Sequence, residues 1–394
     1  MPTIAVYRDV ILPFPETFIS NQALGLRTHR ALLVGLERRR SAIALPEDRI
    51  LVCAPGRWGR GVGELVRRLR WLPPWWIAAI TTHRPALIHA HYAVDACHAL
   101  PIAKRLGVPL VVTCHGYDVA QDEDRIRKPS PTWKRYLRRR QELYQHADRF
   151  IAVSTYIRTC MLAKGFPAER ITVLPIGIDT AVFDGISDRR DPNTVLFVGR
   201  VDPDKGIHDL LTAMTQVKAR LPRARLEVIG GGSQLSAAQE LAATLPFETV
   251  FYGPCAQAVV RDRLRSCTLL CVPSRTGASG AQEALGLVFG EAQAMRVPVV
   301  TYRIGGIPEI VQHGTTGLLV TEGDVAGLAD AITTILADRT MQEHMGEAGR
   351  TKIVESYALS DCIVRLEKFY DDVIAGRPRV ADDHDTSISI SQTR

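Results

Sequence analysis

Short apolar, β-branched runs alternate along this chain with longer stretches of helical periodicity. In the first half the runs fall at 3–7, 31–35, 87–90, 110–113, 150–153 and 171–175. In the second half they fall at 194–198, 225–229, 250–252, 269–272, 298–301 and 317–320. Strand followed by helix, repeated, predicts parallel sheets covered by helices on both faces, because parallel neighbours need a long crossover connection. The run Leu110-Val-Val-Thr113 is near-continuously apolar, as burial on both sides requires. A polar stretch at 183–193, with Gly185 and Pro192, separates the two series and reads as a linker. The expected organisation is therefore α/β, with two doubly wound, Rossmann-like domains at 1–185 and 186–360. A helix at 361–379 is left to cross back to the first domain, and 380–394 is expected to be a disordered tail. Two such domains set the C-terminal ends of their strands across a central cleft, where open α/β sheets bind ligands.

Composition narrows the class. Of 394 residues, 46% are hydrophobic and 23% charged, which excludes a disordered or fibrous chain. The eight cysteines contain no CxxC pair, so neither a zinc module nor a disulfide framework is expected, and a reducing cytosol fits. Arg8 and Asp9 interrupt the N-terminal apolar run, so no export signal is expected, and no apolar run approaches the ~20 residues that span a bilayer.

The net charge of +7 is unevenly placed: 1–185 is +11 and 186–394 is −4. A basic half points to an anionic partner. Residues 125–140 hold eight cations, and 57–76 mix five arginines with four tryptophans. Arginine heads with tryptophan anchors suit the interface of an anionic bilayer, and a solvated helix face over packed tryptophans fits equally. Nothing resembling a helix-turn-helix, an RNA-binding fold or a zinc finger accompanies the charge, so nucleic acid is not expected as a partner.

Four segments carry candidate chemistry, each at the end of an expected strand. In 274–291 the glutamates Glu283 and Glu291 flank Gly286-Leu287-Val288, where a helix begins. A helix start offers free amides and about half a positive charge, a seat for phosphate, and Glu291 would reach the hydroxyls of an attached sugar. The alternative is a surface helix with two solvated glutamates. In 198–206, Gly199 lets the chain turn while Arg200 and Lys205 offer cations to a diphosphate. The run Val228-Ile-Gly-Gly-Gly-Ser233 gives Gly231 room for close backbone approach. It is neither a dinucleotide fingerprint nor a P-loop. In the first half, His115 and Asp118 follow a strand and would face the cleft from the opposite wall, while His89 and His91 alternate along a strand end and read as structural.

Taken in order, these segments resemble retaining GT-B glycosyltransferases, specifically the large glycosyltransferase family 4. The resemblance rests on Glu283-x7-Glu291 with Gly286-Leu287-Val288 between, on Gly199, Arg200 and Lys205, and on the run from Ile307 to Gly317. The opening Phe14-Pro-Glu-Thr-Phe-Ile19 looks like that of bacterial exopolysaccharide and colanic-acid-type members, with Pro15 where those have Ser. The resemblance implies that Arg200 and Lys205 neutralise a donor diphosphate, that the Leu287 and Val288 amides cap it, and that Glu291 binds the ribose. It implies that Glu283 and His115 contact the hexose. Glu16, Thr17 and Asp118 fall on the acceptor side. Two departures stand out. Ala284 replaces a family glycine, and Leu12-Pro-Phe-Pro15 replaces a Gly-Gly loop.

The function so implied is transfer of a hexose from UDP-hexose or GDP-mannose to a saccharide or polyprenyl-diphosphate-linked acceptor in cell-surface polysaccharide synthesis. With fixed cations at the phosphate, no metal and no cofactor is expected. The expected location is cytoplasmic, with peripheral contact to the inner face of the membrane left open. A GT-B sugar-nucleotide epimerase and a non-catalytic nucleotide-sugar-binding protein are the competing readings.

Overall fold

The computed structural model describes residues 1–11, 17–38, 46–54, 59–126, 129–185, 191 and 193–376. Glu16, the 12–15 segment, most of the expected linker and the expected tail at 380–394 lie outside the described residues. Two parallel sheets organise the rest. The first has seven strands, ordered Ile50–Val52, Arg30–Gly35, Thr3–Tyr7, Pro85–His91, Leu110–Cys114, Arg149–Ala152 and Ile171–Val173. The second has six, ordered Thr249–Gly253, Arg225–Ile229, Thr194–Val198, Leu269–Cys271, Val299–Tyr302 and Gly317–Val320.

All twelve apolar runs lie on strands. The hydrophobic pattern finds them because most are buried on both faces; Leu110–Cys114 is buried at every position, while the edge strand Thr249–Gly253 is only partly covered. The three-residue edge strand Ile50–Val52 and the two-residue pair Val10–Ile11 with Glu37–Arg38 escape that pattern, being too short and half-exposed to show a period.

Helices follow their local signals. In Pro131–His146, Ser130 accepts from the Trp133 amide (3.2 Å) and proline occupies the first turn, so the N-terminus is capped by sequence. The helix buries Trp133, Tyr136, Leu143 and Tyr144 on one face. Ala93–Leu106 ends at Gly107, whose φ of 65° supplies the left-handed turn that stops it.

In each sheet the first strand sits centrally and the chain reverses direction of travel beside it. In the second sheet this places the loops after Thr194–Val198 and Leu269–Cys271 side by side, at the topological switch point. In the first it places the loop after Thr3–Tyr7 beside that after Pro85–His91. The final helix, Leu359–Ile374, crosses back onto the first sheet. Leu366, Tyr370 and Val373 pack with Ile4, Val6, Leu33 and Leu87, and Glu367 accepts the amides of Arg27 (2.8 Å) and Thr28 (2.6 Å).

Candidate active site

The C-terminal wall is built from the two loops at the switch point. The 199–206 loop makes a short 3-10 turn at Pro203–Lys205, and Gly206 takes φ 68° against the Pro273 carbonyl. An ideal Cβ at Gly206 would stand 2.1 Å from that oxygen, so only glycine lets the two loops touch. That contact carries the Lys205 ammonium onto the Glu283 carboxylate, where it donates a charge-assisted hydrogen bond, with Ser274 Oγ at 3.5 Å from the same oxygen. Burial pushes the Glu283 carboxyl up, but Lys205, and behind it Arg200 and Ser274, outweigh that and hold it below the usual carboxylate range. Arg200 folds onto its own loop, pairing with Asp202 and with Asp204 at 3.0 Å.

Gly286, at φ 83°, caps the helix Leu287–Ala294, and among the described residues no side chain caps its N-terminus. An ideal Cβ there would lie 3.4 Å from Glu283 Cγ, so the helix start adjoins the Lys205–Glu283 pair. Glu291 follows one turn in. It lines a cavity of ≈ 40 Å³ with Leu287, Gln257 and Asp179 and, from the first domain, Thr17. Burial alone, with no cation to offset it, raises the Glu291 carboxyl to about 7.

The N-terminal wall centres on His115, just past Leu110–Cys114. Its ring lies 5.1 Å from Phe18 and 4.7 Å from Tyr92, and its Nε2 is 2.9 Å from His91 Nδ1. Burial, with the Arg8 and His89 sites nearby, keeps this imidazole neutral well below its ordinary range. Arg8 stands over the Tyr92 ring (4.3 Å) and pairs with Asp95. Gly116, at φ 115°, brings the loop against the other domain: an ideal Cβ there would sit 3.1 Å from Ala284 Cβ.

Two side-chain contacts clasp the walls together. Ser154 accepts from the Ile157 amide (3.2 Å) as an N-cap and donates across the cleft to the Ala284 carbonyl (2.6 Å). Glu309 caps the same helix from the other domain, accepting the Thr155 and Tyr156 amides at 2.8 and 2.7 Å. Within the C-terminal wall itself, Gly305 and Gly306 press on the Glu283 and Ala284 carbonyls, where an ideal Cβ on either would come within 2.0–2.3 Å. Below them the chain crosses twice in parallel, with Ile178 bonded to Tyr357 (2.7 Å) and Leu359 bonded to Ile178 (2.8 Å).

The geometry thus brings Lys205, Ser274, Glu283, Gly286, Leu287 and Glu291 to one wall and His115 to the facing one. It corrects three expectations. Asp118 does not face the cleft. It is 1% exposed, and its carboxylate accepts amides from Ala93 (2.7 Å), His115 and Gly116 (3.1 Å each), so it shapes the histidine loop from beneath. The glycine run makes its close approach to protein. Gly230 abuts the Gly199 carbonyl, Gly231 accepts from Val201 (2.9 Å), and Gly232 adjoins Val201. Among the described residues of the 125–140 run, three cations are tied down and not free: Arg135 pairs with Glu64, Arg139 donates to the Arg67 and Arg68 carbonyls, and Arg140 pairs with Glu123. Sequence reading missed Ser154, Ser274 and Glu309. Ser154 carries a helix-start signal, but nothing local tells that its hydroxyl also reaches the other domain.

Comparison with known proteins places this architecture. Glycosyltransferase Family 4 matches residues 22–182, and Glycosyl transferases group 1 matches residues 182–352. The GDP-mannose-dependent alpha-(1-6)-phosphatidylinositol monomannoside mannosyltransferase of Mycolicibacterium smegmatis is 31% identical over 264 residues, covering 64% of this chain and 67% of that protein. The Mycobacterium tuberculosis protein of that name is 32% identical over 235 residues, and the match spans 60% of its length. In three dimensions the chain superposes on Anabaena HepE in complex with UDP-glucose with a TM-score of 0.73 at 20% identity, covering 94% of this chain and all of that one. Sucrose-phosphate synthase from Thermosynechococcus elongatus gives the same score at 20% identity, covering 95% and 100%. At those identities the superpositions establish the fold, which is GT-B. The sequence matches go further: the chain belongs to glycosyltransferase family 4.

Proposed function

We propose that this protein is a retaining hexosyltransferase that takes UDP-hexose or GDP-mannose as donor and a saccharide or polyprenyl-diphosphate-linked saccharide as acceptor. The observation that carries the reading is the Lys205–Glu283 pair beside the uncapped start of Leu287–Ala294, with His115 on the facing wall. In the free protein Lys205 neutralises Glu283. A donor diphosphate seated at the helix start takes over the ammonium, and Glu283 is released toward the hexose hydroxyls. Arg200, 57% exposed and paired among the described residues with carboxylates of its own loop, swings onto the same phosphates. Glu291, one helical turn away, accepts the ribose hydroxyls.

In the proposed reaction the C1–phosphate oxygen bond breaks as the C1–acceptor oxygen bond forms on the same face. The acceptor proton passes to the departing diphosphate. Lys205, Arg200 and the helix start stabilise the charge that develops there, which is where electrostatic catalysis acts. Fixed cations fill the role a divalent metal would otherwise take, so turnover is expected to persist in EDTA. Residues 1–185 are assigned to the acceptor and 186–360 to the donor. The relatives named for GDP-mannose and the neighbour holding UDP-glucose keep both donor classes in view.

The test is a thermal-shift screen against UDP-, GDP- and ADP-sugars, followed by product analysis with acceptor. A ligand at 100 times its Kd adds about 2.7 kcal/mol of stability, a visible rise in Tm. An acceptor-bound product with the donor's anomeric configuration supports the reading. Epimerised donor without acceptor, or binding without turnover, replaces it with one of the two competing functions. We also assign peripheral contact with an anionic membrane, on the exposed side chains of Leu69, Trp71 and Trp75.

A further inference from the structure

His91 ends the strand Pro85–His91, and its register partner in the neighbouring strand is Thr113, two residues before His115. Side chains two apart in a strand share a face. His89, His91 and His115 therefore form a ladder on one side of the sheet. The lower rung is fully satisfied: His89 Nδ1 meets the Tyr370 hydroxyl at 2.6 Å and its Nε2 meets Thr113 Oγ1 at 2.6 Å. The upper rung is different. His91, 2% exposed, places Nδ1 2.9 Å from His115 Nε2, with the two rings within 19° of parallel, while His115 Nδ1 is buried and has no hydrogen-bond partner among the described residues.

One proton serves the contact between two neutral imidazoles, and whichever nitrogen carries it fixes the tautomer of both rings. If His91 donated, His115 would carry its proton on Nδ1, leaving a buried N–H with no acceptor. If His115 donates, Nδ1 keeps a bare lone pair. Orphaned buried donors are rarer than under-satisfied acceptors. We propose that His91 is a positioning residue: by accepting the Nε2–H of His115 it locks that ring in one tautomer and one orientation, so that His115 Nδ1 presents a lone pair to a hydroxyl of the donor hexose. The second half of this statement rests on the proposed function above. The first half does not. Phe18 and Tyr92 pack against the same ring.

Two measurements separate the halves. In 15N-histidine spectra of the ligand-free protein, His115 is expected to show Nε2 protonated and Nδ1 bare, as a single tautomer. In His91→Phe the two nitrogens move toward averaged values, and in His91→Asn, whose Oδ1 takes the place of the histidine Nδ1, the single tautomer returns. An averaged wild-type His115, the opposite tautomer, or no change in His91→Phe overturns the assignment without touching the glycosyltransferase reading. In kinetics, His91→Phe is expected to lower kcat by about 10²-fold, the scale of a misplaced reacting group. The Kd for the nucleoside diphosphate, which lacks the hexose, stays within about twofold. His91→Asn recovers most of kcat. Equal loss in both variants, or a Kd that rises with the loss of kcat, means that His91 only supports the fold and overturns the proposal.

Discussion

At the scale of single residues, the site is defined by carboxylates in opposite electrostatic settings. Glu283 has a cation on it, and among the described residues Glu291 has none. Lys205→Ala removes the charge proposed to seat a diphosphate and leaves Glu283 partly buried without its ammonium partner. We expect kcat/KM to fall by at least ~10²-fold, about 2.7 kcal/mol, in steady-state assays. Near-native turnover would remove Lys205 from the site. Glu291 governs a pH dependence. Its folded carboxyl titrates at about 7, against an ordinary value of 4.5, so between those values the folded protein holds a proton that the unfolded chain has lost. Stability that is complete below about pH 4.5 is therefore lost as pH rises through 7. Glu291→Gln cannot ionise. Its Tm advantage over the parent should be smallest near pH 4.5, grow toward pH 7 and level off above it. A difference that stays flat across that range would mean the carboxyl is not desolvated.

At the scale of elements, the site depends on close contacts between loops that no helix or strand provides. Gly206 is one such position, being required both by its φ of 68° and by the Pro273 carbonyl. Gly206→Ala should destabilise the protein by about 1–3 kcal/mol through backbone strain. It should also cost activity beyond that, because Lys205 moves with the loop; denaturant melts and kcat/KM measured on the folded fraction separate the two effects. The N-terminus of Thr155–Ala163 is the corresponding contact between domains. Ser154 caps it locally, and Glu309 caps it from across the cleft. Removing such a cap costs about 1 kcal/mol. Glu309→Gln is expected to lower Tm modestly and to widen the cleft, which small-angle scattering reads as a larger radius of gyration for the ligand-free protein. An unchanged radius would show that the Ser154–Ala284 bond and the double chain crossing at Ile178 hold the domains by themselves.

At the scale of the whole molecule, the proposed membrane contact has to fall on a particular surface. No helix among the described residues is long and apolar enough to cross one. Much of the basic first half is bound internally, since Arg67, Arg135, Arg139 and Arg140 all serve helix–helix or helix–loop contacts. Exposed instead are Leu69 at 63%, Trp75 at 55% and Trp71 at 38%. Trp71→Ser with Trp75→Ser should therefore reduce cosedimentation with phosphatidylglycerol vesicles more than Arg139→Gln does, and added salt should weaken the parent's binding. Equal binding by all three proteins would place the contact elsewhere. The same contrast marks what was legible in the chain. Runs such as 110–113 and 194–198 announce buried parallel strands, and the fold follows because only a few arrangements cover such strands on both faces. Glu283, Glu291, Lys205 and Gly286 were legible too, as carboxylates, a cation and a turn at strand ends. Local sequence does not encode who meets whom. Asp118 looked like a cleft residue and is a buried amide acceptor; Arg139 looked solvated and caps another helix; Glu309, 154 residues from Thr155, seals the opposite domain. Periodicity is a property of neighbours in the chain, and by itself it marked every strand of the two sheets but the edge strand Ile50–Val52. Partnership of charges and donors is decided by distances that only the packed domains set, and there the tertiary structure alone had the answer.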